Sequence, residues 1–369
     1  MKDYSPENVD REVAKISAQK APNILICGQV GVGKSAAVNY LFNESVAMTG
    51  DKAEPCTRGI TLFKNNTVNI YDSEGYEIGA ESQKYYEKLI FDDFLAHHRG
   101  NLEAEAVHLV WYAVSGASDR YIDLDVKLIK RIKAEGFPVC ILLTKIDEMT
   151  EEQLNAMMSS LTLDMPEIDV FRLSILARKD EGIAKFCDWD KLIDWSYNHL
   201  TGVFRERFVM ALRGRLDLKH KQAAAVVAGA TAAAATVGAS PIPFSDAALL
   251  VPVQTGMIMG IAGIYGIHIG KAAVSSLSSG IAISALGKSV AGGLFKIFLP
   301  GVGSVLGAVI NASVAGTITG ALGGAFSELC YKQCKDTLDG NPPAIDIEQI
   351  LTAPSFIAEV IRRAKEAKQ

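Results

Sequence analysis

The stretch that decides the fold is Asn23-Ile-Leu-Ile-Cys-Gly28-Gln-Val-Gly31-Val-Gly33-Lys34-Ser35-Ala36-Ala-Val-Asn-Tyr-Leu-Phe42. An apolar run is followed by a turn that fits G-x4-G-K-[ST], and a helical pattern follows the turn. Backbone N–H groups of such a turn, with the N-terminus of the next helix, bind phosphate. We therefore predict a strand, a phosphate-binding loop and a helix, with nucleotide contacts from Gly28, Gly31, Val32, Gly33, Lys34, Ser35 and Ala36. Lys34 should reach the β- and γ-phosphates, and Ser35 should bind Mg²⁺.

Further apolar runs alternate with charged helical patterns up to about residue 200. The predicted strands are Asn23–Cys27, Ile60–Lys64, Thr67–Tyr71, Val107–Val114, Val139–Thr144 and Val170–Ile175. Asn65-Asn66 is a turn signal, so the second and third strands are expected to form a hairpin. This alternation predicts an α/β fold, a mixed, mainly parallel six-stranded sheet with helices on both faces.

Two more motifs follow predicted strands. Asp72-Ser-Glu-Gly75 fits D-x-x-G, in which the carboxylate holds Mg²⁺ through water and the glycine N–H meets the γ-phosphate. Thr144-Lys145-Ile-Asp147 fits [N/T]-K-x-D, in which the Asp147 carboxylate accepts two hydrogen bonds from guanine N1 and N2. Adenine lacks that pair of donors, so the second motif predicts selection of guanine, with the stem of Lys145 along the base plane.

With these motifs in order, residues 22–200 resemble the small Ras-like GTPases, nearest to the Era-like branch. The resemblance implies GTP and GDP as ligands and Mg²⁺ as cofactor. Pro55-Cys-Thr57-Arg-Gly59-Ile-Thr61 is similar to the first switch of that branch, where a threonine closes over Mg²⁺ and the γ-phosphate. Thr57 is favoured, with Thr61 as the alternative. Leu176-Ala177-Arg178 resembles the S-A-K loop, and only the Ala177 backbone contact to guanine O6 carries over, because Leu replaces Ser.

The resemblance names Lys34, Thr57 and Gly75 as the catalytic residues and Ser35, Thr57 and Asp72 as the metal-binding residues. Ras-like enzymes place a Gln directly after D-x-x-G to orient the attacking water, whereas this chain has Tyr76. Slow intrinsic hydrolysis is therefore expected. Potassium-stimulated relatives carry an Asn where this chain has Gly31, which argues against potassium activation. Arg58 is a weak candidate for an arginine finger, since a solvated arginine is the commoner role.

The second half of the chain has a different composition. Between residues 223 and 327 the Asp, Glu, Lys and Arg residues are confined to Asp246, Lys271, Lys288 and Lys296. The uncharged segments Ala247–Gly270 and Ile297–Phe326 are long enough to cross a bilayer. Glycines spaced as G-x-x-x-G, such as Gly316/Gly320/Gly324, allow close helix packing. The alternatives are a tightly packed soluble bundle or hairpins that insert in one nucleotide state.

The predicted organisation has five parts. They are an N-terminal helical extension (1–21), the GTPase domain (22–200), a basic amphipathic linker helix (201–222), an all-α, Gly/Ala-rich apolar domain (223–330) and an amphipathic tail (331–369). On the linker helix Phe204, Phe208, Leu212 and Leu216 share one face, and basic residues such as Arg207 and Lys219 are assigned to the rest. Such a helix suits an anionic membrane surface or packing on the GTPase domain. Around residues 205–330 the sequence resembles an apolar domain of unknown function found behind bacterial Era-like GTPases.

Bulk composition limits the remaining functions. The net charge of −5 gives no case for nucleic-acid binding. The six cysteines form no disulfide framework, which indicates a reducing cytoplasm. The sequence thus predicts a membrane-associated GTPase whose nucleotide domain lies in the cytoplasm and whose nucleotide state controls the apolar domain. Expected partners are a guanine nucleotide, a membrane and a second copy bound through the GTPase domain. The alternative is a nucleotide-gated scaffold with little hydrolysis. A transport pore is disfavoured by the scarcity of acidic residues in the apolar half.

Overall fold

A computed structural model describes residues 21–42, 53–57, 59–64, 67–99, 106–118, 121–238, 246–267, 269, 312–341 and 347–367. These residues fall into two compact units, one formed by Ala18–Arg215 and one that begins at Leu216. The division lies later than the boundary expected near residue 200. The expected N-terminal extension lies outside the described residues, except for Ala21.

Within its described residues, the first unit is built on one mixed sheet of seven strands. In chain order they are β1 (Asn23–Gly28), β2 (Ala53–Thr57), β3 (Ile60–Phe63), β4 (Asn69–Ser73), β5 (Leu109–Ser115), β6 (Val139–Thr144) and β7 (Val170–Arg172). Their spatial order is β2-β3-β4-β1-β5-β6-β7, with β4, β1, β5, β6 and β7 parallel and β2 and β3 antiparallel. The predicted fold class is confirmed, and the hairpin of β3 and β4 is present.

The strand that the sequence pattern did not predict is β2. It contains Pro55, and its pairing with β3 shifts register between Pro55 and Thr57. Proline and a bulge are typical of an edge strand, and β2 lies at the edge of the sheet. A segment of this composition has no period-2 alternation, so only pairing with β3 identifies it as a strand.

The sheet is central because its middle strands are apolar on both faces. Every residue of β1, β5 and β6 is buried, as expected for parallel strands covered by helices on both sides. The helices of this unit are α1 (Lys34–Leu41), α2 (Ala80–Lys88), α3 (Asp123–Ala134), α4 (Glu151–Asp164), α5 (Glu181–Ala184), α6 (Trp189–His199) and α7 (Gly202–Ala211). The chain continues from α2 into a wider-turned helix, Leu89–Leu95. Thr150 caps α4 by accepting the Gln153 N–H at 3.2 Å.

The single linker helix expected over 201–222 is wrong, because the chain turns after α7. Leu212 is extended and pairs with Phe42, and the Arg213 N–H donates to Leu41 O at 2.9 Å. Phe208 meets the Phe42 ring edge-on at 5.9 Å, so the apolar face of α7 packs against the rest of the first unit. Arg207, assigned to the basic face of the predicted linker helix, is 4% exposed. Tertiary contacts with Phe42 thus end a helix that the i+4 apolar pattern would continue.

The second unit is helical. It contains α8 (Leu216–Gly238), α9 (Asp246–Tyr265), α10 (Ala312–Leu338), α11 (Ile347–Thr352) and α12 (Pro354–Glu366). A β-carbon on Gly323 of α10 would lie 2.6 Å from Met257 Sδ and 2.8 Å from Val227 Cγ2. Glycine at this position therefore permits the close approach of α8, α9 and α10. One face of α12, formed by Phe356, Val360 and Ala364, is buried.

Among the helices that the structure describes, none reaches the combination of length and hydropathy that a bilayer crossing needs. Of the two segments proposed from sequence, Ala247–Gly270 lies mostly in α9. The second half of Ile297–Phe326 is described and lies in α10.

Candidate nucleotide-binding site

The phosphate-binding loop lies at the carboxyl end of β1. Since β4 and β5 flank β1 on opposite sides, this is a topological switch point, where open α/β sheets bind ligands. Gly31 and Gly33 have φ values of 74° and 94°, and Gly33 precedes the first residue of α1. The loop therefore curls back over the start of α1. The first turn of a helix leaves N–H groups without intrahelical partners, which includes those of Lys34, Ser35 and Ala36.

Gly28 begins the loop and must be glycine for a steric reason. Its φ is +133°, and a β-carbon there would lie 2.2 Å from Ala113 O on β5. The Gly28 N–H donates to Tyr86 Oη at 2.9 Å. The loop is thus fixed at its origin by β5 on one side and by α2 on the other.

Lys34 folds back over the loop that it follows. Its Nζ donates to Gln29 O at 3.1 Å and to Gly28 O at 3.3 Å, and the side chain is buried. Burial lowers the pKa of Lys34, and the nearby Asp72 carboxylate opposes that change. The ammonium group is therefore held at the centre of the loop, where phosphate oxygens would share it.

Asp72 and Ser35 come together as the sequence predicts for a metal site. Ser35 Oγ lies 3.5 Å from Asp72 Oδ2, and Asp72 Oδ1 is buried without a hydrogen bond to any described residue. Burial raises the pKa of Asp72 to about 6, against the effects of Lys34 and Ser35. A hydroxyl and an under-satisfied carboxylate are hard oxygen donors, so this pair fits Mg²⁺.

Gly75 is packed directly on the phosphate-binding loop. A β-carbon there would lie 2.9 Å from Gly28 O, from Lys34 Nζ and from Val30 N, and its φ is +81°. The next residue, Tyr76, accepts the Val30 N–H through its backbone oxygen at 3.1 Å. The structure therefore brings the D-x-x-G segment against the loop at the Lys34 ammonium group.

Thr144 has a role that its motif did not reveal. Its Oγ1 lies 2.5 Å from Val32 O and 3.1 Å from Val114 O, so the hydroxyl ties the phosphate-binding loop to the ends of β5 and β6. Lys145 follows with φ 55° and ψ 36°, a left-handed conformation that turns the chain into Ile146–Glu148. Asp147 is exposed on that turn.

The second segment predicted to contact the base lies beside this turn. The Ile146 N–H donates to Leu173 O at 3.3 Å, which places Ile146–Glu148 next to the segment Ile175–Arg178. The Ala177 N–H, expected to face guanine O6, donates to Ser174 O at 3.3 Å. Arg178 donates to Tyr40 O and lies over the Tyr40 ring, with Cζ 4.1 Å from its centroid. This contact fixes the segment on α1.

The first switch is described only in part. The Thr57 side chain and all of Arg58 lie outside the described residues. Thr61, the alternative to Thr57, lies in β3 and pairs with Asp72 on β4 and with Pro55 on β2.

Tyr76, at the position of the Ras-like glutamine, points into the core. It is 1% exposed, and its hydroxyl donates to Asp125 Oδ1 at 2.5 Å. Sequence reasoning missed Asp125 and its other partner, Tyr112, whose hydroxyl donates to the same oxygen at 2.7 Å. No periodicity signals that these three residues meet, because they lie on a loop, a helix and a strand.

A nucleotide-binding P-loop domain is thus defined by the loop, the Ser35–Asp72 pair and the turn carrying Asp147. Residues 23–145 match the family described as "50S ribosome-binding GTPase", and residues 207–352 match "Domain of unknown function (DUF697)". The chain joins a P-loop GTPase domain of the Era/EngB type to a C-terminal DUF697 domain.

Two curated proteins illustrate the similarity. GTPase Era of Leuconostoc citreum is 25% identical over 227 residues, which cover 57% of this chain and 71% of that protein. A probable GTP-binding protein EngB of Wolbachia pipientis is 26% identical over 145 residues, which cover 38% of this chain and 71% of that protein.

Two solved structures are also similar. A probable GTP-binding protein engB has 19% identity and a TM-score of 0.34, covering 50% of this chain and 99% of that one. Aquifex aeolicus Era bound to GDP.AlF4- has 20% identity and a TM-score of 0.32, covering 50% and 58%.

Proposed function

We propose that this protein binds GTP and GDP with Mg²⁺, hydrolyses GTP slowly, and uses its nucleotide state to control membrane association or assembly of the DUF697 domain. The observation that carries the proposal is the convergence of Lys34, Ser35, Asp72 and Gly75 on one glycine loop. In this proposal the loop amides and Lys34 hold the phosphates, while the Asp147 carboxylate selects guanine.

Mg²⁺ would be held by Ser35 and Asp72, and it would neutralise charge on the phosphate oxygens. Gly75 would donate its N–H to the γ-phosphate. Thr57 is preferred to Thr61 as the first-switch threonine, because β2 and β4 hold Thr61 within the sheet on both sides. Release of Thr57 and Gly75 after hydrolysis would be the conformational signal.

The inward orientation of Tyr76 supports a low intrinsic rate. A phenol that is 1% exposed and bound to Asp125 is not available to orient an attacking water. The same observation favours the second candidate, a nucleotide-gated scaffold with little hydrolysis. Turnover measured with and without liposomes, and over a range of protein concentrations, separates the two. A scaffold stays slow in every condition, whereas a GTPase that is completed by a membrane or a second copy accelerates.

The membrane proposal rests on the composition of the second unit and on its glycine-mediated helix packing. Liposome co-sedimentation of the full chain with GDP or with a non-hydrolysable GTP analogue tests it. We expect the GTP-analogue form to differ from the GDP form in the fraction bound. Equal partitioning would refute the coupling, and no partitioning in either state would refute the membrane association. Cell fractionation with protease accessibility of residues 223–327 tests the proposed location on the cytoplasmic side of a membrane.

A further inference from the structure

A buried cluster of hydroxyl groups and one carboxylate lies behind the phosphate-binding loop. Its members come from five different elements of the first unit and are Ser73, Tyr76, Tyr86, Tyr112 and Asp125. Tyr76 and Tyr112 both donate to Asp125 Oδ1, at 2.5 and 2.7 Å. Tyr86 Oη lies 2.8 Å from Ser73 Oγ, and it accepts the Gly28 N–H at 2.9 Å. The Tyr76 and Tyr86 rings are 5.1 Å apart.

The Asp125 carboxylate is held in place within this cluster by hydrogen bonds. It lies in the first turn of α3, and its Oδ2 accepts the Ile122 N–H at 3.0 Å. The carboxylate is 6% exposed, and both of its oxygens are hydrogen-bonded. Burial and the Asp125 carboxylate raise the pKa of Tyr76, so its hydroxyl keeps its proton and remains a donor. A buried carboxylate with this set of donors holds its partners in place.

Tyr76 also joins this cluster to the phosphate-binding loop. Its backbone oxygen accepts the Val30 N–H at 3.1 Å, and the preceding Gly75 is packed against Gly28 O and Lys34 Nζ. The position of Gly75 relative to the loop therefore depends on two anchors of the neighbouring residue. One is the backbone bond to Val30, and the other is the side-chain bond to Asp125.

We propose that Tyr76 is a positioning residue whose hydroxyl, held by Asp125, keeps the Gly75 N–H directed at the γ-phosphate and so sets the preference for GTP over GDP. The inference rests on the proposed function, since it assigns the γ-phosphate contact to Gly75. In this proposal Tyr76, which stands where Ras-like enzymes have a glutamine, contributes to recognition of the γ-phosphate through its bond to the Asp125 carboxylate. This role is separate from activation of the attacking water.

The test compares Tyr76→Phe with Tyr112→Phe in the full chain. Each substitution removes one phenol hydroxyl from the same carboxylate oxygen and retains the ring. Only Tyr76 lies next to Gly75, because Tyr112 lies within β5. If the two hydroxyls only stabilised the fold, both substitutions would therefore change the affinities for the GTP analogue and for GDP in the same way. Affinities for GDP and for a non-hydrolysable GTP analogue, both with Mg²⁺, are measured by titration with fluorescent nucleotides.

We expect Tyr76→Phe to weaken GTP-analogue binding about five- to tenfold while GDP binding changes less than about twofold. Tyr112→Phe should change both affinities by the same factor. In an Asp125→Asn background the additional effect of Tyr76→Phe should shrink, because the anchor is already weakened. Hydrogen exchange gives a second readout, in which the peptide spanning residues 72–77 exchanges faster in Tyr76→Phe than in Tyr112→Phe with the GTP analogue bound.

Equal GTP-to-GDP affinity ratios in the two variants, or unchanged exchange of residues 72–77, would overturn the positioning role. If the wild-type protein binds neither nucleotide, the proposed function itself fails. The two failures are distinguishable, because the first requires a wild-type protein that binds both nucleotides.

Discussion

Replacement of Gly28 by alanine should destabilise the GTPase domain far more than an equivalent replacement elsewhere in it. An added β-carbon would lie 2.2 Å from the backbone oxygen of Ala113, and the φ of +133° disfavours any side chain. Backbone strain of this kind costs about 1–3 kcal/mol and overpacking costs about 1–3 kcal/mol. We therefore expect Gly28→Ala to lower the free energy of unfolding by about 4 kcal/mol.

Gly136→Ala is the matched control. Gly136 has a φ of +88°, and a β-carbon there meets nothing within 4 Å, so only the left-handed backbone is penalised. That penalty is about 1–2 kcal/mol. The two variants should differ by about 2–3 kcal/mol, which corresponds to about 1 M in urea midpoint for a slope of about 2–3 kcal/mol/M.

Tryptophan fluorescence reports this difference selectively. All three tryptophans, Trp111, Trp189 and Trp195, lie within Ala18–Arg215, so their emission follows unfolding of the GTPase domain in the intact chain. Urea titration without nucleotide avoids stabilisation by a bound ligand. Urea midpoints that agree within about 0.3 M for the two variants would show that the contact with Ala113 does not constrain Gly28.

Three further predictions concern guanine selection and the second unit. Asp147→Asn should weaken GTP binding by about a hundredfold or more, because it replaces a charged acceptor pair, whereas Glu148→Gln on the same turn should not; similar losses in a titration would contradict the assigned role of Asp147. In α10, Gly323→Ala should destabilise the second unit by about 1–3 kcal/mol, because the added β-carbon would overpack the contact with Met257 and Val227. Gly256→Ala in α9, whose β-carbon meets nothing within 4 Å, should stabilise the second unit by about 0.5–1 kcal/mol. Thermal unfolding monitored by circular dichroism measures both changes, and a stabilising effect of Gly323→Ala would argue against close packing at this glycine. Burial lowers the pKa of Lys219 from 10.5 to about 8, so the unfolded chain binds the Lys219 proton more tightly than the folded chain does. The free energy of unfolding of the second unit should therefore rise as pH increases from 8 to 10.5. In unfolding measured as a function of pH, Lys219→Met should flatten this rise, whereas Lys221→Met, at an exposed residue, should leave it intact.

Lys219 shows that tertiary contacts can bury a basic residue that the sequence pattern places on a polar helix face. Sequence patterning assigned it to the polar face of a linker helix. In the structure its Nζ donates to Ile264 O at 2.8 Å, in the last turn of α9. A cation at a helix C-terminus is favourable for the free carbonyls and the helix dipole there. Such an interaction depends on how α8 and α9 meet, which no local pattern specifies.

The phosphate-binding loop was predictable because its conformation depends on residues that follow one another in the chain. Glycines at fixed spacing, with a strand before and a helix after, restrict the backbone to one local path. The same holds for the central strands, whose unbroken apolar runs require burial on both faces. The edge strand β2 and the turn at Leu212–Arg215 were not predictable in this way. Both depend on long-range partners, β3 for the first and Phe42 for the second.

By itself, the sequence determined the fold class, the place of the nucleotide motifs and the composition break between the two halves, because each depends on residues that are neighbours in the chain. Only the tertiary structure decided that Tyr76 points inward to Asp125, that Thr144 ties down the phosphate-binding loop, and that α7 packs on the GTPase domain. Those contacts join residues far apart in sequence, and such contacts form only when the sheet brings together the ends of separate strands and helices.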